Sequence, residues 1–322
     1  MTATHYPQAR SSRPPRRRWK PLLQAALGVG VLLPAIPSMA QANLPAVNLG
    51  DSTFQDGVAG PGGMIQITLS HQDADRIRNG AGAPLASPRR VRSTAALVQA
   101  AWLSERRFLG AWWGAEVIVP VVQVDLDLGS GVSASTLAVG DVFVSPLLLQ
   151  WPATTLFGRP YWQRLNLNAT MPTGDYSPAK LSVGSNAWRF NPHYAFTWEA
   201  DENWEISGRV HYLWTGRNDD PPPALNARSV QPGEAIHLNA AVSRRWGEGG
   251  RLGLSGYALA QIEDDRIDGR RRTGGRERVL GLGPAASWKS GAHTWHGAFY
   301  WETSARDRPE GVRASLRYAR TF

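Results

Sequence analysis

The chain has 322 residues, with 35 basic and 26 acidic side chains, 33 glycines, 14 tryptophans and no cysteine. The absence of cysteine excludes a disulfide framework, thiolate metal sites and a cysteine nucleophile. Six of the basic residues and none of the acids fall in residues 1–40, so the remainder is close to neutral and lacks the clustered cation excess that nucleic-acid binding requires.

Taken in chain order, residues 1–40 form an export address. A basic stretch ending at Lys20 precedes the apolar run PLLQAALGVGVLLPAI, and Ser38-Met39-Ala40 supplies small residues for a signal peptidase, with cleavage expected after Ala40 or Ala42. Past this leader no window approaches the roughly 18–20 consecutive apolar residues of a spanning helix, so a helical membrane protein is excluded. Residues 41–62 are rich in Gly, Asn and Asp with few apolar residues; they are expected either to fold into a barrel mouth as a plug or to trail as a periplasmic tail.

From about residue 63 onward the dominant pattern is alternation with period two, which sends successive side chains to opposite faces of a strand. Twelve strands are predicted, at residues 63–72, 94–103, 112–124, 138–150, 161–171, 188–199, 204–215, 235–246, 251–262, 278–288, 293–303 and 312–322. In the sixth, Trp188, Phe190, Tyr194, Phe196 and Trp198 oppose Arg189, Asn191, His193, Thr197 and Glu199. In the seventh, Trp204, Ile206, Val210, Tyr212 and Trp214 oppose Glu205, Ser207, Arg209, His211 and Thr215. Connections alternate between short and long, as in bacterial outer-membrane barrels with short periplasmic turns and long outer loops. The parity has two exceptions: residues 151–160, read as too long for a turn, and residues 304–311, read as short for a loop.

Thirteen tryptophans follow the leader. Ten fall at strand ends beside the short turns and three, Trp188, Trp214 and Trp301, near the opposite ends, as two aromatic girdles at the lipid headgroups require. The expected fold is therefore all-β: an outer-membrane-type, transmembrane antiparallel β-barrel of about twelve strands over residues 63–322. The last strand places Val312, Ala314, Leu316 and Tyr318 on the face of the terminal Phe322, resembling the signal read by the barrel-assembly machinery; Arg320 breaks the apolar pattern of that face.

Several stretches, in this order and spacing, resemble the family of outer-membrane channels named for the MetA pathway of phenol degradation. They are NLPAVNLGDSTFQDGVAGPGG (43–63), GDVFVSPLLLQW (140–151), MPTGDY (171–176), GSNAWRFNP (184–192), residues 253–268 and GLGP (281–284). The resemblance implies a single outer-membrane barrel that passes small hydrophobic or aromatic compounds, phenol-like by the family name, without covalent chemistry or a cofactor.

Inward-facing polar side chains are the candidates for a substrate pathway, since lumen residues set selectivity: Arg164, Asn166, Asn168, Arg189, Asn191, His193, Arg209, His211, His237, Asn239, Glu302, Arg313 and Arg317. A narrow interior that charges and amides simply fill is the competing explanation. His193, His211 and His237 invite a metal reading if neighbouring strands bring them together, with polar filling the more economical account. The arginines of residues 266–278 suit lipopolysaccharide phosphates or merely a solvated loop, and Asp264 with Asp265 suits a divalent cation. No serine, histidine and orienting partner can be singled out as a hydrolase site. The alternatives to a channel are a filled structural or adhesive barrel acting through its outer loops and, behind it, an outer-membrane hydrolase. The expected partners are outer-membrane lipid and lipopolysaccharide, the assembly machinery and a small hydrophobic solute.

Overall fold

The computed structural model describes residue 44 and residues 47–85, 89–129 and 131–322; the predicted leader lies outside them. The strands are β1 (Gly62–Ile77), β2 (Arg90–Phe108), β3 (Ala111–Asp127), β4 (Ser133–Val139), β5 (Phe143–Leu156), β6 (Arg159–Thr170), β7 (Arg189–Phe190), β8 (His193–Glu199), β9 (Trp204–Thr215), β10 (Val230–Gln231), β11 (Ala235–Trp246), β12 (Gly250–Gln261), β13 (Asp265–Ile267), β14 (Arg270–Arg272), β15 (Arg278–Ser290), β16 (His293–Arg306) and β17 (Pro309–Thr321). With β4 and β5 as one broken stave and β7 and β8 as another, they form a closed antiparallel barrel of twelve strands, with β1 paired to both β2 and β17. β10, β13 and β14, drawn from two of the long loops, make a separate three-stranded sheet.

Alternation explains which side chains meet lipid. Along β9 the exposed Trp204, Ile206, Val210, Tyr212 and Trp214 alternate with buried Glu205, Ser207, His211 and Thr215. On β1 the outward face carries Ile65, Ile67 and Leu69, and on β3 Val117, Val119 and Val121. Greasy residues outside and polar ones inside invert the arrangement of a soluble protein, and a closed sheet leaves no backbone amide unpaired toward hydrocarbon. Exposed Trp102, Trp113, Trp204, Trp246, Trp288 and Trp295 gather toward the short-turn end, and Trp188, Trp214 and Trp301 toward the other. The indoles of Trp151 and Trp198 donate to the turn carbonyls of Leu109 and Leu156, at 3.2 and 3.1 Å, keeping a polar end wet while the ring lies in lipid.

Both irregular connections resolve as tight turns. β5 continues to Leu156 and returns through Phe157-Gly158, each with positive φ, as do Leu109-Gly110 between β2 and β3. The long connection expected over residues 151–160 is therefore wrong: two register shifts in the β5–β6 pairing, beside Pro146 and Pro152, break the period by which the strand would have been read. Likewise β16 and β17 join through Asp307-Arg308.

Val119 stands halfway along β3 on the lipid face. Val119→Arg should lower unfolding free energy in bilayers by roughly 2–4 kcal/mol, read by urea titration of the refolded barrel.

Candidate functional site: the lumen and the segment that threads it

The barrel is not empty. Residues 47–61 run through its interior before becoming β1, and each contact follows from the polarity of the inward face. Near the outer mouth the N–H of Leu44 donates to Glu277 Oε1 at 2.6 Å. Further in, Asn239 clamps the chain from both sides, accepting from Gly50 N–H at 2.7 Å and donating to the Asn48 carbonyl at 3.0 Å. The Tyr300 hydroxyl donates to the Gly50 carbonyl at 3.0 Å, and Arg313 and Arg317 donate to the carbonyls of Leu49 and Asp51. A Cβ on Gly50, at φ +73°, would fall 2.9 Å from the Tyr300 ring, so this close approach needs glycine. Leu49 and Phe54 pack with Tyr257, Leu259 and Tyr300 in the buried cluster. Further along, the segment reaches β9, β8 and β5: Asp56 meets the Arg209 guanidinium with two hydrogen bonds of 2.8 and 2.5 Å, and Gly57 exchanges bonds with Thr197 and Gln150.

Because the segment lies against β9, β11, β12, β16 and β17, it leaves a cavity of about 440 Å³ between itself and the wall of β1, β2, β3, β5 and β6. Gln66, Gln99 and Glu116 form a hydrogen-bonded row along that wall, at 2.6 and 2.8 Å, and Leu97, Ile118, Phe143 and Leu148 interleave apolar surface with it.

The thirteen candidate residues all face inward, yet they divide into different jobs. Arg164, Asn166, Asn168, Asn191, His193, Arg209 and Arg317 line the cavity. Asn239, Arg209, Arg313 and Arg317 hold the threaded segment. Glu302 accepts from the Tyr257 hydroxyl at 2.7 Å, from Gln72 and from Gly311 N–H, which ties β1, β12, β16 and β17 together. Arg189 is placed apart from the cavity lining, beside Asp141, whose carboxylate also accepts from Gly174 and Ser185 and so gathers the break between β4 and β5. His193, His211 and His237 are direct cross-strand neighbours. The His211 and His237 rings stack at a centroid distance of 4.0 Å, 13° from parallel, and His193 lies 4.6 Å from His211 at a tilt of 39°, with Asn168 and Asn191 at the two ends. Face-to-face rings do not converge their nitrogens on a point, and among the described residues no group of three potential ligands converges to hold a metal ion. In the outer loop Asp264 is engaged by Arg276, and Oδ1 of Asp265 accepts from Gly233 N–H and Gln261.

Residues missed in the sequence include Gln66, Gln99 and Glu116, which alternation alone would have placed inward, and Asp51, Asp56, Tyr257 and Tyr300, whose partners are remote in sequence. Glu277, just before β15, is buried, and burial pushes its carboxyl up to about 7.

Two outcomes test this geometry. Asp56→Asn should cost roughly 3–5 kcal/mol because it strands a buried guanidinium, and the Asp56→Asn/Arg209→Gln double variant should recover part of that loss in urea unfolding. For Glu277 the folded state keeps its proton to higher pH than the unfolded chain. Its stabilisation is full below about pH 4.5 and is lost by roughly 3 kcal/mol as pH rises through 7; Glu277→Gln should flatten that part of the pH–stability profile.

Comparison with known proteins agrees with this architecture. Among solved structures, the COG4313 outer membrane channel from Pseudomonas putida F1 superposes with a TM-score of 0.72 at 17% identity, covering 86% of this chain and 100% of that one. The transport unit of the autotransporter AIDA-I from Escherichia coli gives 0.50 at 8% identity, covering 89% and 97%. No curated protein matches the sequence. Residues 74–318 match the family of the MetA pathway of phenol degradation, and the chain belongs to that family.

Proposed function

We propose that the protein is an outer-membrane channel through which small hydrophobic or aromatic molecules pass along the cavity beside the threaded segment. The observation that carries this reading is the mixed lining of that cavity. Leu97, Ile118, Phe143 and Leu148 offer a slide for an apolar ring, while Gln66, Gln99 and Asn166 offer hydrogen bonds to a single hydroxyl. The threaded segment narrows the passage and, with Arg209 and Arg317 set against Asp56 and Asp51 around it, disfavours bulk ion flow. Family membership supports the channel reading, as does the likeness to a protein described as an outer membrane channel. The leader directs export, and the terminal face of Tyr318 and Phe322 serves insertion by the assembly machinery.

Liposomes carrying the protein should take up phenol and toluene faster than empty liposomes. Ile118→Arg, which places a charge in the slide, should cut that flux about tenfold, the cost of about 1.4 kcal/mol or more for an apolar solute passing a charge. Deleting residues 47–61 should raise ion conductance in planar bilayers. Solute flux equal to empty liposomes would favour a filled barrel that acts through its outer loops.

A further inference from the structure

The outer wall carries a hollow that the channel reading does not use. Near the short-turn end, on β12, β15 and β16, a slot of about 490 Å³ opens on the lipid side. Its floor is a cross-strand pair of small residues, Ala286 and Gly297. Trp288 and Trp295, also directly paired, wall it toward the turn, with Trp246 beyond Gly250 completing that wall. Leu252 and Leu316, the flanking partners of Ala286 and Gly297, close its sides.

Gly297 is the informative residue. Glycine inside a strand weakens it, so a strand glycine generally marks a bulge or a close approach of another group. Among the described residues every other glycine within the barrel strands has such a reason, because an added Cβ would meet an atom at 2.9 Å or less. At Gly297 the nearest atom is the Ser315 carbonyl oxygen at 3.9 Å, and its φ is not positive. Among the described residues no close contact requires the missing side chain; what it leaves is room on the membrane side. The rim is polar in the matching places. Arg320, which interrupts the apolar face of the last strand, pairs with His293, one alternation beyond the Trp295–Tyr318 pair. Glu248 stands at the turn.

We propose that this slot binds one glycerophospholipid of the periplasmic leaflet, with an acyl chain laid over Ala286 and Gly297 and its phosphate held by Arg320. The apolar floor and the Arg320 guanidinium, nearer the turn, are complementary to the two halves of such a lipid. It also accounts for a charge at Arg320 where an apolar residue would serve barrel insertion better. The slot lies outside the lumen, so it stands or falls independently of what the channel conducts.

The test is native mass spectrometry of the full-length barrel extracted from outer membranes in mild detergent, reading phospholipid retained per barrel. The wild type should keep one phospholipid after bulk lipid is stripped. Gly297→Leu and Ala286→Leu should each reduce retention about tenfold, the loss of about two methylenes of burial, and Arg320→Gln should reduce it less. Heat-modifiable migration in gels checks that each variant is folded; Ala286→Leu alters no glycine and keeps the test decisive if Gly297→Leu does not insert. Equal retention by wild type and Ala286→Leu would overturn the proposal. So would a wild-type dimer that Ala286→Leu converts to monomer without changing bound lipid, or displacement of the bound mass by toluene rather than by added phospholipid.

Discussion

A backbone amide facing hydrocarbon has no water to bond, so a strand that crosses a membrane must pair on both edges. Closure of β17 onto β1 meets that requirement, and the rest of the molecule follows from it. Once the sheet is a cylinder, one face of each strand belongs to lipid and the other to an enclosed space. Alternation then becomes obligatory over the membrane-spanning part of each stave. The tryptophan girdles, tight turns at one end and long loops at the other answer the same geometry.

The enclosed space creates the second problem. An interior lined by arginines, carboxamides and histidines must be hydrated or satisfied by protein, because buried polar groups without partners are costly. Residues 47–61 fill that interior with carbonyls and amides that the wall can bond, and Asn239, Arg313 and Arg317 each bind its backbone. A segment held mainly through its main chain needs few large residues, which suits the Gly, Asn and Asp content of this stretch. It fills one side of the cylinder and leaves a cavity along the other. Of the three neighbouring histidines His193 lines the cavity, and His237 bonds Asn191, which lines it too.

The barrel was legible because lipid imposes a period on the sequence: the strong aromatic alternation of residues 188–199 and 204–215 marked one hairpin, and turn parity ordered the rest. All thirteen lumen residues face inward for the same reason. Where prolines and bulges disturb the period, in β5, the strand end was not legible. Nor was the division of labour among inward residues, since whether Arg209 lines a pathway or grips Asp56 depends on a segment 153 residues away in sequence, which no local pattern encodes. Residues 41–62 could be read as plug or tail equally well, because composition reports solvation and not location. Arg189 looked like its lumen neighbours on alternation and is instead engaged with Asp141 at a break in the wall.

The central claim is that one polypeptide stretch occupies the lumen of a closed, lipid-embedded cylinder. The chain contains no cysteine, so a single reporter thiol can be placed without background. In detergent-solubilised barrels, where a bulky maleimide reaches both ends of the cylinder, Ser52→Cys, at a position buried inside it, should react at least about a hundredfold more slowly than Leu109→Cys on an exposed turn, as expected for a thiol opened only by rare local unfolding. Equal labelling of the two positions would mean that the segment hangs free of the barrel and would contradict the account.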